Sequence, residues 1–159
     1  ITYEGIKSIG VDFPYDIIEN SDGFQGLISL LPPSSRRAVA LIDPPYEDKN
    51  DYKKVVATLQ EAYKRFATGC YVVWYPLLMR EESLSLANKL KRAFPENHLN
   101  VSLSVYQPVN NQLGMFGSGL FIINPPYTLK AELEKIMPIL VDVLKQDDNA
   151  SYELETSVK

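Results

Sequence analysis

The sequence has very few residues of the types that build disulfides and zinc sites. One cysteine, Cys70, excludes an internal disulfide, and one histidine, His98, has no partner at metal-ligand spacing, so no metal site is expected. The apolar runs, such as Gly119 to Asn124, are too short to cross a bilayer, and no basic flank and apolar core open the chain. These absences predict a soluble cytoplasmic protein with no membrane partner, in which Cys70 is a structural thiol.

A surplus of positive charge is also missing. The 159 residues carry 16 lysines and arginines against 20 acidic residues, a formal charge of -4. A polyanion partner usually leaves an excess of basic residues, so any nucleic-acid surface here must be local. Arg36 and Arg37, next to a predicted strand, are the best placed for phosphate. Basic residues on the predicted helices are expected to solvate a face.

What the sequence does contain is enough apolar material for one domain, with 45% hydrophobic and 11% aromatic residues. Short β-branched or aromatic runs alternate with segments of helical period, which predicts an α/β domain with a largely parallel sheet. The predicted strands cover about 15–20, 38–43, 70–76, 99–106, 118–123 and 151–158, and the predicted helices about 51–67, 80–94 and 129–145. Pro138 predicts a kink or a break in the last helix.

The strongest local signal is an apolar strand that ends in Asp43-Pro44-Pro45-Tyr46. In open α/β sheets, ligands bind at the carboxyl ends of strands. Two prolines remove two backbone donors and leave a stiff turn that offers only acceptors. An exocyclic amine could donate to the Asp43 carboxylate and the Pro44 carbonyl while Tyr46 stacks on its ring. The alternative is that Asp43 merely ends the strand or caps the next helix.

The same pattern occurs a second time. The apolar run Gly119 to Ile123 ends in Asn124-Pro125-Pro126-Tyr127. The pattern alone does not select the copy that binds a ligand, and its repetition favours a structural role for at least one of them.

These motifs are similar to the fourth motif of the amino-methyltransferases, and longer segments resemble the ribosomal RNA large subunit methyltransferase J family, whose members have also been labelled proteins of external-DNA catabolism. The segments lie in the family's order between Asp22 and Tyr127: Ser21–Leu27, Leu31–Arg37, Leu41–Glu47, Tyr63–Gly69, Trp74–Pro76 and Ser118–Pro126. The resemblance implies a Rossmann-like, S-adenosyl-L-methionine-dependent methyltransferase fold. Residues 1–159 would form a single, partial catalytic domain, because the family's glycine-rich first motif has no counterpart and the N-terminal cofactor-binding portion is expected to be absent.

The resemblance also implies an activity, the N6-methylation of an adenine in large-subunit (23S) ribosomal RNA, with that RNA as partner and S-adenosyl-L-methionine as cofactor. By position, Asp43, Pro44, Pro45 and Tyr46 match the family's catalytic motif. Three residues are implied to contact the cofactor: Asp22, Gly23 and Asp43.

Two of these assignments have competing interpretations. Asp22 is also a suitable N-cap for a helix that begins near Phe24, and the two roles can coexist. The Asn124 copy matches a late-strand segment of the family that is not its catalytic motif, so Asp43 is the preferred catalytic acid. Met115 and Phe116 could flank a flipped base or belong to the packing of a loop or core.

Two alternative functions remain open. DNA adenine-N6 methylation is one, because an amine-binding motif does not distinguish the sugar. The other is a noncatalytic methyltransferase-like remnant or interaction domain, linked to external-DNA utilisation, that keeps the Pro-Pro turns for rigidity. A monomer is expected, and the isolated chain is expected to lack activity.

Overall fold

A computed structural model describes residues 19–109 and 114–157. Its helices are α1 (Gly23–Ser29), α2 (Lys49–Arg65), α3 (Glu81–Ala93) and α4 (Leu129–Leu144). Its strands are β1 (Val39–Ile42), β2 (Cys70–Leu78), β3 (His98–Ser104), β4 (Met115–Ile123) and β5 (Ser151–Thr156). The predicted helices, and the strands predicted from residue 38 onward, are confirmed to within a few residues. The strand predicted at 15–20 lies mostly outside the described residues.

The five described strands form one sheet in the order β1-β2-β4-β3-β5. Only β1 and β2 pair in parallel, whereas the β2–β4, β3–β4 and β3–β5 pairs are antiparallel. The prediction of a largely parallel sheet is therefore wrong for this part of the chain. Parallel neighbours need a long crossover, but no described helix separates β3 from β4, so β4 returns antiparallel between β2 and β3.

Helices α2 and α3 cover one face of the sheet. Their buried apolar side chains meet alternate residues of β2 and β4 in the main core, which includes Val55, Leu59, Leu86, Leu90, Tyr71, Val73, Tyr75, Phe121 and Ile123. This alternation is what a strand requires when its two faces have different neighbours. Residues Ala40 and Ile42 of β1 pack against the same core.

Helix α4 covers part of the opposite face, where Met137 packs with Leu99, Val101 and Ile122. The helix continues through Pro138 from Leu129 to Leu144, so the break predicted as one alternative does not occur. At the β1 end of this face, Val39 and Leu41 are 73% and 70% exposed.

A close contact in the sheet fixes the position of Tyr75. A Cβ atom added at Gly119 would lie 2.2 Å from Tyr75 Cζ and 2.4 Å from its hydroxyl oxygen. The absence of a side chain at Gly119 therefore lets the Tyr75 ring lie against β4 and donate a 2.8 Å hydrogen bond to Asn100 Oδ1. Burial raises the pKa of Tyr75 to about 12, so the hydroxyl keeps its proton at neutral pH.

We expect Gly119→Ala to lower the free energy of unfolding by about 1–3 kcal/mol, because the new methyl group forces Tyr75 out of its buried position. The matched control is Gly26→Ala in α1, where the nearest heavy atom to an added Cβ is 3.8 Å away. Alanine in a helix should raise stability there by about 0.5–1 kcal/mol. Urea denaturation of both variants checks the prediction, and equal stabilities would contradict it.

Candidate active site

A cavity of about 260 Å³ lies beside the carboxyl end of β1. Helix α1 supplies one wall and the end of β1 with the following turn supplies the other; the lining residues are Gly23, Phe24, Leu27, Leu41, Ile42, Asp43, Pro44 and Pro45. The structure thus brings Gly23, predicted to contact the cofactor, to the same cavity as Asp43, predicted as both catalytic and cofactor-binding. Most of the lining is apolar, as in sites that bind a flat ring.

The turn after β1 presents hydrogen-bond acceptors without partners. Within the described residues, no hydrogen bond reaches the Asp43 carboxylate or the Pro44 carbonyl oxygen. Neither Pro44 nor Pro45 carries a backbone N–H group. The exposed Asp43 and its neighbouring carbonyls therefore form an acceptor-rich rim on an apolar cavity, which suits a group that donates two hydrogen bonds.

Asp22 is the N-cap of α1. Its Oδ1 accepts hydrogen bonds from Phe24 N at 2.9 Å and Gln25 N at 3.1 Å, which confirms the capping interpretation. Asp22 itself is exposed and does not line the cavity, whereas Gly23 does. No described residue donates to Oδ2 of Asp22, so this oxygen leaves the cofactor role open beside the cap.

Tyr46 is placed differently from the other members of its motif. Its side chain is only 1% exposed, and its hydroxyl donates a 2.7 Å hydrogen bond to the Trp74 carbonyl. The ring centroid lies 4.7 Å from that of Tyr52, and burial, together with nearby phenols and carboxylates, raises the pKa of Tyr46 well above its ordinary value. In this arrangement Tyr46 anchors the turn and does not line the cavity, so stacking on a target ring stays a prediction.

The second Pro-Pro turn leaves the sheet elsewhere. Ile123 pairs with Tyr71 near the start of β2, whereas Ile42, just before Asp43, pairs with Val73. Since β4 runs opposite to β1, Asn124 leaves the sheet level with the start of β1, whereas Asp43 leaves it at the end of β1. The two levels are about four residues, or ~13 Å, apart along the strands. The two copies therefore cannot form one site.

The side chain of Asn124 has a structural role, because its hydrogen bonds join a loop to the end of β4. Its Nδ2 donates to the carbonyls of Ala67 and Gly69, both at 2.8 Å, and its Oδ1 accepts from Asn97 Nδ2, also at 2.8 Å. Its backbone is left-handed, with φ of 53°, a conformation that asparagine tolerates better than most residues. The side chain ties the loop between α2 and β2 to the end of β4, whereas Tyr127 is 92% exposed.

Arg80 is a contributor to the site that the sequence analysis missed. It follows β2 at the same end of the sheet as Asp43, and its Nη2 donates to the Tyr46 carbonyl and, at 2.8 Å, to the Tyr52 hydroxyl. The guanidinium carbon lies 5.2 Å from the centre of the Tyr52 ring. A basic residue just after the strand neighbouring Asp43 was the available signal.

Other predicted candidates lie apart from the cavity. Arg36 and Arg37 precede β1, so they lie toward its amino end, away from Asp43. His98 stacks on Phe121 with ring centroids 5.1 Å apart and its Nδ1 lies 3.0 Å from Ser157 Oγ; burial lowers the pKa of this histidine. Met115 and Phe116 begin β4, Met115 half-exposed and Phe116 buried.

The part of the chain that the structure describes contains neither a candidate metal cluster nor a candidate membrane span. No three histidine, cysteine or acidic side chains there are grouped closely enough to hold a metal ion. None of the described helices combines the length and the apolar character needed to span a membrane.

Comparison with known proteins gives a consistent family. Residues 15–158 match the family model described as Ribosomal RNA large subunit methyltransferase D, RlmJ. The chain is 40% identical over 138 residues to Ribosomal RNA large subunit methyltransferase J of Haemophilus influenzae, covering 87% of this chain and 49% of that protein. It is 43% identical over 123 residues to the Escherichia coli protein of the same name, covering 77% of this chain and 44% of the relative.

A solved structure is similar over the same extent. The crystal structure of protein LPL1258 from Legionella pneumophila superposes with a TM-score of 0.80 at 33% identity, covering 87% of this chain and 51% of that chain. The five-stranded mixed sheet, the family match and this neighbour together fit a Rossmann-like methyltransferase fold. The chain spans about half the length of the curated relatives that it matches.

The contacts of Asn124 predict a stability effect that its motif partner Tyr127 does not have. We expect Asn124→Ala to lower the free energy of unfolding by about 2–4 kcal/mol, because three hydrogen bonds are lost and alanine tolerates the left-handed backbone poorly. Tyr127→Ala, at the exposed end of the same turn, should change it by less than about 0.5 kcal/mol. Chemical denaturation measures both, and similar small effects would rule out the structural role.

Proposed function

Because the chain belongs to the family of Ribosomal RNA large subunit methyltransferase D, RlmJ, we propose that it carries the amine-binding part of an enzyme that methylates N6 of an adenine in large-subunit ribosomal RNA. The observation that carries the proposal is a pair of acceptors, the Asp43 carboxylate and the Pro44 carbonyl, which the described residues leave without partners and whose residues line the same cavity as Gly23. An adenine amine has two N–H groups and matches this pair.

The residues would act mainly by positioning. The two N–H groups of the adenine amine donate hydrogen bonds to the Asp43 carboxylate and the Pro44 carbonyl. These hydrogen bonds turn the nitrogen lone pair out of conjugation and toward the incoming methyl group. The amine gains positive charge during transfer, and acceptors that are already in place stabilise that charge without reorganisation. Asp43 then takes the proton that the methylated nitrogen releases. No covalent intermediate with the protein is needed.

S-adenosyl-L-methionine is the proposed methyl donor, and it supplies an electrophilic methyl group when bound. The cavity volume of about 260 Å³ is slightly below the range of about 300–1,000 Å³ for drug-sized ligands, so the described residues fit one ring system and not the whole molecule. Space around Gly23, where an added Cβ would meet nothing within 4 Å, and the second oxygen of Asp22 are suited to the adenine end.

Ribosomal RNA is the proposed substrate because the curated relatives are named for it. The amine-binding turn itself does not distinguish RNA from DNA. A target adenine must be single-stranded or extruded from its stack to reach the acceptors of Asp43 and Pro44, which single-stranded regions of a folded RNA make easier than a DNA duplex does.

The first test removes the proposed acceptor. In the full-length gene product that contains this chain, Asp43→Ala should lower methyl transfer by at least about 10²–10³-fold, since it removes an acceptor aimed at developing charge. Glu47→Ala, which removes an exposed carboxylate four positions later, is the matched control and should keep the activity. Transfer of labelled methyl groups and mass spectrometry of the nucleosides give the readout. Activity of Asp43→Ala within tenfold of the unmodified protein would overturn the assignment.

The second test compares substrates. Protein-free large-subunit ribosomal RNA and single-stranded DNA of matched sequence are offered side by side, and we expect N6-methyladenosine in the RNA at a rate at least about tenfold above that in the DNA, because sites built for RNA contact the 2′-hydroxyl. A preference for DNA would support the DNA methyltransferase alternative. No transfer to either, with no donor binding by calorimetry, would support the noncatalytic alternative.

A further inference from the structure

Arg80 lies immediately before helix α3. It is the N-cap of α3, but its side chain makes no capping hydrogen bond with its own helix. Its side chain instead extends to the turn after β1, where Nη2 donates to the Tyr46 carbonyl and to the Tyr52 hydroxyl. Arg80 therefore connects the carboxyl end of β2 to the residues that directly follow Asp43-Pro44-Pro45.

The turn needs such an external contact. Tyr46 has a φ of 56°, a left-handed backbone that a bulky side chain rarely adopts. Two contacts hold it there: the Tyr46 hydroxyl donates to the Trp74 carbonyl, and the Tyr46 carbonyl accepts from Arg80. The φ angles of Pro44 and Pro45 are restricted by their rings, so fixing Tyr46 leaves the Pro44 carbonyl and Asp43 few other directions.

Fold stability does not readily explain the charge of Arg80. Among the described residues, Arg80 has no carboxylate partner within ion-pair distance, and its buried Nε has no hydrogen-bond partner. A buried donor without a partner costs free energy, and an apolar residue of similar volume would avoid that cost. The unpaired Nε is a local cost, set against the two hydrogen bonds of Nη2, and local costs of this kind are common where a site requires a particular side chain.

We propose that Arg80 is a positioning residue that holds the turn formed by Asp43, Pro44 and Pro45 in its amine-binding geometry. The inference rests on the proposed function and deepens it. Arg80 does not touch the substrate; it acts through the Tyr46 carbonyl. Its loss therefore displaces the two acceptors and slows the transfer step, while RNA binding, to which Arg80 adds no contact in this proposal, is retained.

The test uses the full-length gene product with Arg80→Ala, Arg80→Lys and Tyr52→Phe. Arg80→Ala should lower kcat by about 30–100-fold, since misplacing a reacting group by about 1 Å costs rates of this order, and should leave the KM for RNA within about threefold. Arg80→Lys keeps the positive charge and a donor group but loses the planar guanidinium, so it should recover part of kcat. Tyr52→Phe removes only the second partner of Nη2 and should keep kcat within about threefold.

Separate outcomes support or overturn the proposal. A lower kcat at nearly constant KM for Arg80→Ala, with partial recovery in Arg80→Lys, supports it. An unchanged kcat overturns it, and so does a raised KM with an unchanged kcat, which would make Arg80 a contact for RNA phosphate. Circular dichroism shows whether each variant is folded, and if Arg80→Ala is not, Arg80→Lys decides: its kcat must then lie below that of Tyr52→Phe.

A measurement without catalysis separates this proposal from the proposed function. Trp74 is the only tryptophan of these 159 residues, and its ring lies 6.4 Å from that of Tyr46. In the full-length gene product, the same variants on a Trp74→Phe background identify the share of the emission that comes from Trp74. Even if the unmodified protein transfers no methyl group, which would refute the proposed function, Arg80→Lys should change the Trp74 emission and Tyr52→Phe should leave it nearly unchanged. The same emission in all three proteins would show that Arg80 does not hold the turn.

Discussion

The left-handed backbone at Tyr46 is the constraint on which the candidate site depends. A strand that continued past Ile42 could engage the Pro44 carbonyl in a ladder, and a helix that began at once would engage the same carbonyl in its first turn. The left-handed backbone at Tyr46 is compatible with neither a strand nor a helix, and the two prolines keep the segment stiff. The free-energy cost of the left-handed backbone is offset by three interactions of Tyr46. Its ring is buried, its hydroxyl donates a hydrogen bond to the Trp74 carbonyl, and its own carbonyl accepts one from the Arg80 guanidinium.

Topology separates two turns that the sequence makes almost identical. Both follow apolar strands and both contain two prolines, but β1 and β4 run in opposite directions, so the turns emerge at different ends of β1. Asn124 uses its amide to close a loop, with its donors and its acceptor occupied. Asp43 has no partner among the described residues. The difference between a structural and a binding role lies in which hydrogen bonds are already satisfied.

Local periodicity was sufficient to predict α2, α3 and β2, because each has an apolar side whose spacing is visible in the sequence. It did not predict that β4 inserts antiparallel between β2 and β3, because strand order depends on contacts between distant residues. It also did not predict the burial of Tyr46. An aromatic residue after two prolines is compatible with stacking on a ligand or packing in a core, and the contacts of Tyr46 with Tyr52 and Trp74 join residues too distant in sequence for a local pattern to show.

The exposed side of β1 bears on the same site. Val39 and Leu41 point to the face that α4 covers farther along the sheet, and both are largely exposed. In the described residues β1 is also an edge strand, and apolar side chains at an edge are a liability in water. Leu41 is at once an exposed residue of this face and part of the cavity lining. An element that packed on Leu41 would therefore also border the cavity beside Asp43, because one side chain belongs to both surfaces.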